Sequence, residues 1–401
     1  MRKFIWIFLV LVASVFIYRI AGDKKEKMPR LENRSIQRDH VQAVNNTGEN
    51  TALKIDEKAT SLALILGGMP FNTAGNQMVT RIFDQKATKT HITAIEGMWK
   101  TLEADRLKKM RTWSSSAIDH LNNTSHQLIY PLSGPDFLHA YTLFPNCDEY
   151  ILLGAEPIGT LPALKDLKEN ELNAYLGNVR NALRLFSQRG YFSSVDMQQH
   201  LSKLGVLPVL NVLLARTDNH ISNIEYVTLD KQSIETVIDE NKAAQAEKNN
   251  LKGVRIEFLN VAKTRKQSLL YIQTDLSQEK NQQVVTQLMN ALNHPIAMLK
   301  TAGYWLHQPG FATLQKAILD HAEVCVQDDS GIPLQAFAKD AQRWSLSFYG
   351  RYVGAPAMYN KLYYQKGLRQ KYNTRQNIKA LPFAFGYLKQ GANLLVATRK
   401  K

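Results

Sequence analysis

Residues 127–157 read QLIYPLSGPDFLHAYTLFPNCDEYILLGAEP, and this stretch decides the fold class of the chain. The apolar run 127–132 predicts a buried strand, and residues 133–136 predict a sharp turn into a helix that runs through Phe144. A second apolar strand follows at 150–154 and is closed by a glutamate and a proline. Because strand, turn, helix and strand in this order are typical of layered α/β sheets, we expect an α/β or α+β fold.

The chain outside this stretch also alternates between helical and strand patterns. Apolar residues at three-and-four spacing predict helices over 92–118, 169–188, 279–293 and 311–320. Paired apolar runs predict three antiparallel hairpins, 207–215 with 221–229, 253–262 with 267–275, and 383–389 with 393–398. A short strand is predicted at 322–327, and residues 231–249 are interpreted as a polar helix or loop. These patterns predict a mixed sheet with antiparallel hairpins and flanking helices in a single large domain.

The N-terminus carries an apolar segment. Arg2 and Lys3 precede an uncharged run at 4–18, and Arg19 follows it. Positive charge before such a run is typical of segments held by the export machinery. A peptidase cuts near Ala21 in one interpretation, and in the other the segment stays as a signal anchor with its first residues cytoplasmic. Both predict an exported protein, periplasmic or anchored in the inner membrane with its globular part outside the cytoplasm.

Composition divides the chain into three parts. Residues 1–22 form the leader or anchor, residues 23–58 are polar and predict a flexible tether, and residues 60–401 predict the globular domain. The chain is 44% apolar and 21% charged, which excludes a disordered or fibrous protein. No cysteine follows the apolar run, which argues against a lipoprotein.

Cysteine and histidine usage predicts little chemistry. Cys147 and Cys325 are the only cysteines of the sequence, and spacing alone cannot show whether they pair. Two separate half-buried thiols are the simpler interpretation. No Cys or His cluster has metal-ligand spacing, so no metal site is predicted.

Four carboxylates stand at the ends of predicted strands: Asp136, Glu156, Asp328 and Asp329. Ligand sites of open sheets collect at the carboxyl ends of strands, so these acids are candidate catalytic groups. Two carboxylates about 5–10 Å apart perform acid and base chemistry on a glycosidic bond, and carboxylates also bind divalent cations. The alternative is structural, because Asp is common in turns and caps helices. His139 lies one helical turn after Asp136 and is a candidate partner for it.

The unit 127–157 also has the outline of a nucleotide or adenosyl site, since Glu156 lies 22 positions after Gly134. The glycine pattern of dinucleotide sites is absent, and Asp136 would repel a phosphate. An adenosyl ligand has no pyrophosphate, so a methyltransferase-like fold meets this objection better. An exported enzyme would find no supply of such a cofactor, and the sequence therefore leaves the cofactor unknown.

The last 61 residues, 341–401, are strongly basic. They contain twelve Lys and Arg residues and no Asp or Glu, so they carry +12 of the net charge of +15. Aromatic residues lie between these cations: Trp344, Phe348, Tyr349, Tyr352, Tyr359, Tyr363, Tyr364, Tyr372 and Tyr387. Such a surface binds nucleic acid, anionic lipid or acidic glycan. Export favours lipid or glycan over nucleic acid. The candidate binding residues are Tyr349, Arg351 and Tyr352 in this part, and Ser133 and Gly134 in the turn after the first predicted strand.

Five segments resemble a family of bacterial exported envelope proteins that has no known activity. They are YPLSGPDF at 130–137, GAEPIG at 154–159, QDDSGIP at 327–333, FYGRY at 348–352 and LPFAFGY at 381–387. The resemblance implies one folded unit over about 127–398 but no function.

Three functional hypotheses follow. The first is an envelope protein that binds anionic lipid or glycan through its basic aromatic C-terminal part. The second is a hydrolase-like envelope enzyme that uses the four carboxylates and Arg351. The third is a methyltransferase-like fold.

Overall fold

The computed structural model describes residues 54–70, 77–192, 204–239, 250–260, 265–357, 359–374, 378–387 and 391–400. All of them belong to one compact unit. The predicted leader 1–22 and most of the tether 23–58 lie outside the described residues. Among the described helices, none has the length and apolar character that crossing a bilayer requires.

Ten strands form one mixed sheet with the order β4-β3-β5-β6-β2-β1-β7-β8-β10-β9. They are β1 (Gln127–Tyr130), β2 (Glu149–Gly154), β3 (Asn219–Leu229), β4 (Glu235–Ile238), β5 (Leu251–Asn260), β6 (Arg265–Gln273), β7 (Ile296–Leu299), β8 (Val324–Gln327), β9 (Trp344–Tyr349) and β10 (Leu394–Arg399). The five central strands β6, β2, β1, β7 and β8 are parallel. Antiparallel pairs extend the sheet on both sides. The prediction of an α/β fold with a mixed sheet and antiparallel hairpins is confirmed.

The direction of strand addition reverses between β1 and β7. From β1 the chain builds outward through β2 and β6, and it then returns to the other side of β1 to add β7 and β8. Such a reversal leaves a crevice at the carboxyl ends of the two strands, where open α/β sheets bind their ligands. The loops after β1 and β7 are therefore the first place to look for a site.

Helices cover both faces of the sheet. They are α1 (Glu57–Leu66), α2 (Gln77–Asp84), α3 (Lys86–Leu102), α4 (Lys108–Ala117), α5 (Phe137–Leu143), α6 (Glu169–Arg189), α7 (Leu207–Ala215), α8 (Glu279–Ala291), α9 (Ala312–His321), α10 (Leu334–Ala338), α11 (Asn360–Tyr363) and α12 (Lys366–Thr374). Helices α1 to α7 pack on one face with Leu128 and Tyr130. Helices α8, α9, α10 and α12 pack on the other with Ile129. This alternation along β1 follows from the two-residue period of a strand.

A single turn of π-helix, Glu103–Leu107, joins α3 to α4. The predicted helix 92–118 is therefore real but begins earlier, at Lys86, and contains this widened turn. Such turns are rare and are frequent at functional sites. Here the turn contains Arg106, whose side chain is buried.

The prediction of a strand at 207–215 is wrong, because these residues form helix α7. All nine side chains of α7 are buried. A helix surrounded by core has no polar face, so its sequence shows no helical period and resembles a buried strand. Pro208 in its first turn is the signal that favoured a helix.

The predicted hairpin of 383–389 with 393–398 is also wrong. Residues 383–387 are irregular, 388–390 lie outside the described residues, and β10 instead pairs with β8 and β9. The partners of β10 cannot be predicted from local sequence, because β8 and β9 are both distant from β10 along the chain. The segment interpreted as a polar helix or loop, 231–249, contains the short strand β4.

Candidate functional site at the carboxyl end of the parallel strands

Asp136 ends the turn after β1 and caps helix α5. Its Oδ1 atom accepts a hydrogen bond from the backbone N–H of His139 (3.3 Å). The ring Nδ1 atom of His139 lies 2.7 Å from the same oxygen. Both the capping role of Asp136 and its pairing with His139 agree with the sequence-based expectation.

Lys300 enters the same cluster from the other side of the crevice. It is the first residue after β7, it is fully buried, and its Nζ atom lies 3.0 Å from Asp136 Oδ2. Nζ also donates to the carbonyl oxygen of Gly190 at the end of helix α6. The hydroxyl of Tyr130 donates to Asp136 Oδ2 (3.1 Å). The strand reversal thus contains a buried ion pair with hydrogen-bonded neighbours.

The charges of this cluster follow from burial and pairing. Burial alone would raise the pKa of Asp136, but His139 and the Lys300 ammonium hold it below its usual value. Burial lowers the pKa of His139 to about 4, although Asp136 opposes this effect. Burial also lowers the pKa of Lys300, and Asp136 again opposes it. At neutral pH we therefore assign a carboxylate, an ammonium and a neutral imidazole that donates from Nδ1.

Arg106, on the π-helical turn, stands beside this cluster. Its guanidinium contacts Gly190, where a Cβ atom would lie 2.9 Å from Nη1. Its pKa is lowered by burial and supported by Asp136. Within the described part of the chain, Arg106 Nη1 and His139 Nε2 are buried without a hydrogen-bond partner. Nη1 is a donor, and Nε2 is an acceptor in the neutral imidazole that is protonated at Nδ1.

Glu156 and Gly134 meet at the neighbouring strand ends. Gly134 has a positive φ of 54°, and Glu156 Oε2 lies 3.5 Å from the position of a Cβ atom on it. The Oη atom of Tyr271 donates to the Glu156 carbonyl oxygen (2.9 Å) and approaches Oε2 at 3.5 Å. Ser133 ties the turn to β2 through the carbonyl oxygen of Leu153. The half-buried Glu156 side chain thus borders Gly134, the one residue of this turn that has no side chain.

Asp328 and Asp329 follow strand β8. Asp328 is buried, accepts from Thr301 N (3.0 Å) and from Ser330 Oγ (2.5 Å), and has its pKa raised by burial. Asp329 Oδ2 accepts from the hydroxyl of Tyr304 (2.8 Å). Through Thr301, which follows Lys300, Asp328 adjoins the ion pair. The four predicted carboxylates therefore share one end of the sheet, each held by internal donors, and their catalytic role stays a prediction.

Tyrosine rings cluster around Asp329 at this end of the sheet. Tyr304, itself fully buried with a positive φ of 60°, stacks on Tyr363 (5.0 Å between centroids) and lies parallel to Tyr387 (6.3 Å). Tyr359 contacts all three rings, and Tyr191 contacts Tyr387 at 5.3 Å. Tyr191 is followed by Phe192, whose Cβ lies 3.7 Å from the Cβ position of Gly134. The tyrosine cluster therefore lies close to the turn that contains Gly134, which is itself buried.

The remaining predicted binding residues divide between core and surface. Tyr349 packs edge-on against Trp113 in the core. Tyr352 accepts a hydrogen bond from the Gln365 backbone N–H (2.9 Å), and Arg351 is exposed beside it. The structure therefore places Tyr349 in the core, Tyr352 at its margin and Arg351 in solvent.

Cys147 and Cys325 are free and fully buried, and burial raises the pKa of each thiol to about 12. In the ranges that the structure describes, no three His, Cys, Asp or Glu side chains are grouped to hold a metal ion.

Sequence reasoning missed Lys300 and Arg106. Lys300 directly follows the apolar run Ile296–Leu299, and a lysine at the end of a buried strand was the available signal. Arg106 had no signal, because it sits among other cations on a helix and only the π-helical turn directs it inward.

Comparison with known proteins adds no identity: no family model, no curated protein and no solved structure matches this chain.

Proposed function

We propose that this domain binds a nucleoside-containing ligand of the adenosyl type in a methyltransferase-like site. The observation that carries the proposal is the contact between Gly134 and Glu156 beside the strand reversal. In such sites a glycine in the first turn lets the backbone approach the ligand closely. A carboxylate after the second strand accepts hydrogen bonds from the ribose hydroxyls. Glu156 is half-buried, and its Oε2 atom lies beside both Gly134 and the Tyr271 hydroxyl.

The order of the strands supports the same proposal. Strands β6, β2, β1, β7, β8, β10 and β9 are parallel except for β10, which is reversed next to the edge. Adenosyl-dependent methyltransferases share this order and these directions. A fold hosts many functions, so this likeness supports the choice of ligand but not the reaction.

The structure also weakens one objection to an anionic or polar ligand. From sequence, Asp136 was expected to repel a phosphate. Its carboxylate is instead turned into the protein, where Lys300 neutralises its charge (Nζ–Oδ2 3.0 Å). The second acid near this turn is Glu156, and its carboxylate is the kind of group that accepts ribose hydroxyls.

Ligand binding is tested by thermal unfolding with S-adenosylhomocysteine, with adenosine and NAD as comparison ligands. A native-state ligand at 100 times its Kd stabilises by about 2.7 kcal/mol, so we expect the adenosyl ligand to raise Tm. Glu156→Gln should weaken binding roughly 10- to 100-fold, because hydrogen bonds to a charged group contribute about 1.5–3 kcal/mol. The matched control is Asp166→Asn, an exposed acid after the same strand. An unchanged Tm with every ligand, or equal shifts in wild type and Glu156→Gln, would contradict the proposal.

An adenosyl cofactor is made in the cytoplasm. The domain can therefore bind it only if the domain lies on the cytoplasmic side of the membrane. The expectation of export rested on the charges before the apolar run, which are Arg2 and Lys3. The twenty residues 19–38 after the run contain seven Lys and Arg residues. Because the more basic flank of a first apolar segment usually stays cytoplasmic, we propose that the domain faces the cytoplasm.

Orientation is tested with reporters fused after Lys401. We expect a reporter that fluoresces only when folded in the cytoplasm to be active, and alkaline phosphatase, which needs periplasmic disulfides, to be inactive. Replacing the basic residues of 19–38 by Gln or Ser should shift the fusions toward the opposite pattern. An active phosphatase fusion on the unaltered chain would instead support export.

A further inference from the structure

Large apolar side chains are exposed in the basic C-terminal part of the domain. Leu362 on helix α11 is 80% exposed, Tyr364 42% and Val353 38%. Leucine at this exposure is uncommon in a folded monomer when other exposed apolar groups surround it, and such patches mark interaction sites. The three residues belong to the region that was singled out for its charge.

Contacts of Tyr352, together with adjacency along the chain, bring these three residues into one region. The Tyr364 ring lies 5.8 Å from the ring of Tyr352, which directly precedes Val353. The hydroxyl of Tyr352 accepts from Gln365 N, immediately after Tyr364 and three residues after Leu362. We call Val353, Leu362 and Tyr364 the apolar tip.

Cations border the apolar tip. Helix α12 starts at Lys366 and exposes Lys366, Arg369 and Lys371, while Leu368 and Tyr372 form its inward side. Arg351 directly precedes Tyr352. Lys379 is exposed too, and a β-bridge to Tyr349 fixes its backbone close to Arg351. Two other cations of this region, Arg343 and Arg399, are instead used in ion pairs with Asp320 and Glu323. The basic rim is therefore the set Arg351, Lys366, Arg369, Lys371 and Lys379.

We propose that the apolar tip and the basic rim dock on the surface of an anionic lipid bilayer. Apolar side chains enter the boundary between head groups and acyl chains, and the cations lie at the level of the head groups. A polyanion without an apolar phase, such as a glycan or a nucleic acid, would give Leu362 nothing to contact. This docking surface includes neither Gly134 nor Glu156 and does not depend on the adenosyl proposal.

The test follows a fluorophore at the tip in the full chain. Leu362→Cys is labelled with an environment-sensitive dye, which is selective because both native thiols are buried. The protein is reconstituted in phosphatidylcholine vesicles with and without phosphatidylglycerol. With phosphatidylglycerol we expect blue-shifted emission and quenching by brominated acyl chains; label on Lys100→Cys, an exposed site on helix α3, should remain in water. A second label at Val353→Cys guards against a local effect of the first substitution.

Charge reversal separates docking from general attraction. The triple variant Lys366→Glu, Arg369→Glu and Lys371→Glu should release the tip, since each lost cation weakens binding about 5-fold. The control triple Lys86→Glu, Lys100→Glu and Lys108→Glu changes the net charge equally on exposed helical positions elsewhere and should leave the tip docked. A tip label that stays aqueous on anionic vesicles, equal effects of both triples, or a response to soluble heparin without one to vesicles would each overturn the proposal.

Discussion

Replacing Lys300 by Met should destabilise the domain by about 3–5 kcal/mol, because it leaves the Asp136 carboxylate buried without a cation. Both side chains are at most 2% exposed, so water cannot take the place of the ammonium. Methionine has a similar length and fills the same space. The expected result is a large fall of the urea midpoint of the full chain in mild detergent, with an unchanged m-value.

Two further variants make this prediction specific. Asp136→Asn in the Lys300→Met background removes the unpaired charge and should restore part of the lost stability. Lys316→Met breaks an ion pair with Asp320 in which the lysine side chain is 77% exposed, and it should cost less than about 1 kcal/mol. Similar losses of unfolding free energy for Lys300→Met and Lys316→Met would show that burial of the Asp136–Lys300 pair does not increase its contribution to stability.

Acidification from pH 6.5 to pH 4 should destabilise the protein through three histidines. Burial lowers the pKa of His91, His139 and His307 from 6.5 to about 4. Between these values the unfolded chain binds more protons than the folded one, so stability is fully present above pH 6.5 and is lost as pH falls toward 4. Each histidine contributes up to about 3 kcal/mol over this range.

Asp328 works in the opposite direction, because its raised pKa lets the folded state keep a proton above pH 3.8. The net loss is therefore smaller than the sum for the histidines. His139→Gln should flatten the pH dependence, whereas His120→Gln, at an exposed position, should not. Urea titrations across this pH range measure both effects, and a constant free energy of unfolding from pH 6.5 to 4 would contradict the prediction.

The parts of the fold with local signals were predictable. The turn 133–136, the cap at Asp136 and the hairpin of β5 and β6 follow from turn chemistry, capping and alternation within about twenty residues. The helix at 207–215 was missed because complete burial removes the polar face that distinguishes a helix from a strand.

The candidate site was only half predictable. Asp136 and Glu156 could be placed at strand ends from sequence, but Lys300 comes from a strand 164 residues further along the chain than Asp136. Nothing local indicates that β7 returns beside β1. Likewise, the exposure of Leu362 was not predicted. Whether an apolar residue is exposed depends on which other elements cover it in the folded chain, and local sequence does not show this.

The place of β10 in the sheet has a consequence for how the protein is made. This strand follows the other nine strands of the sheet along the chain, yet it lies between β8 and β9 and pairs with both. Until residues 394–399 have been synthesised, β9 lacks the described strand that it pairs with and β8 keeps an open edge, which is a template for mispairing. The sheet is therefore completed only after β10 has been translated, and a chain truncated before residue 394 would leave β9 without its strand partner as well as lacking β10.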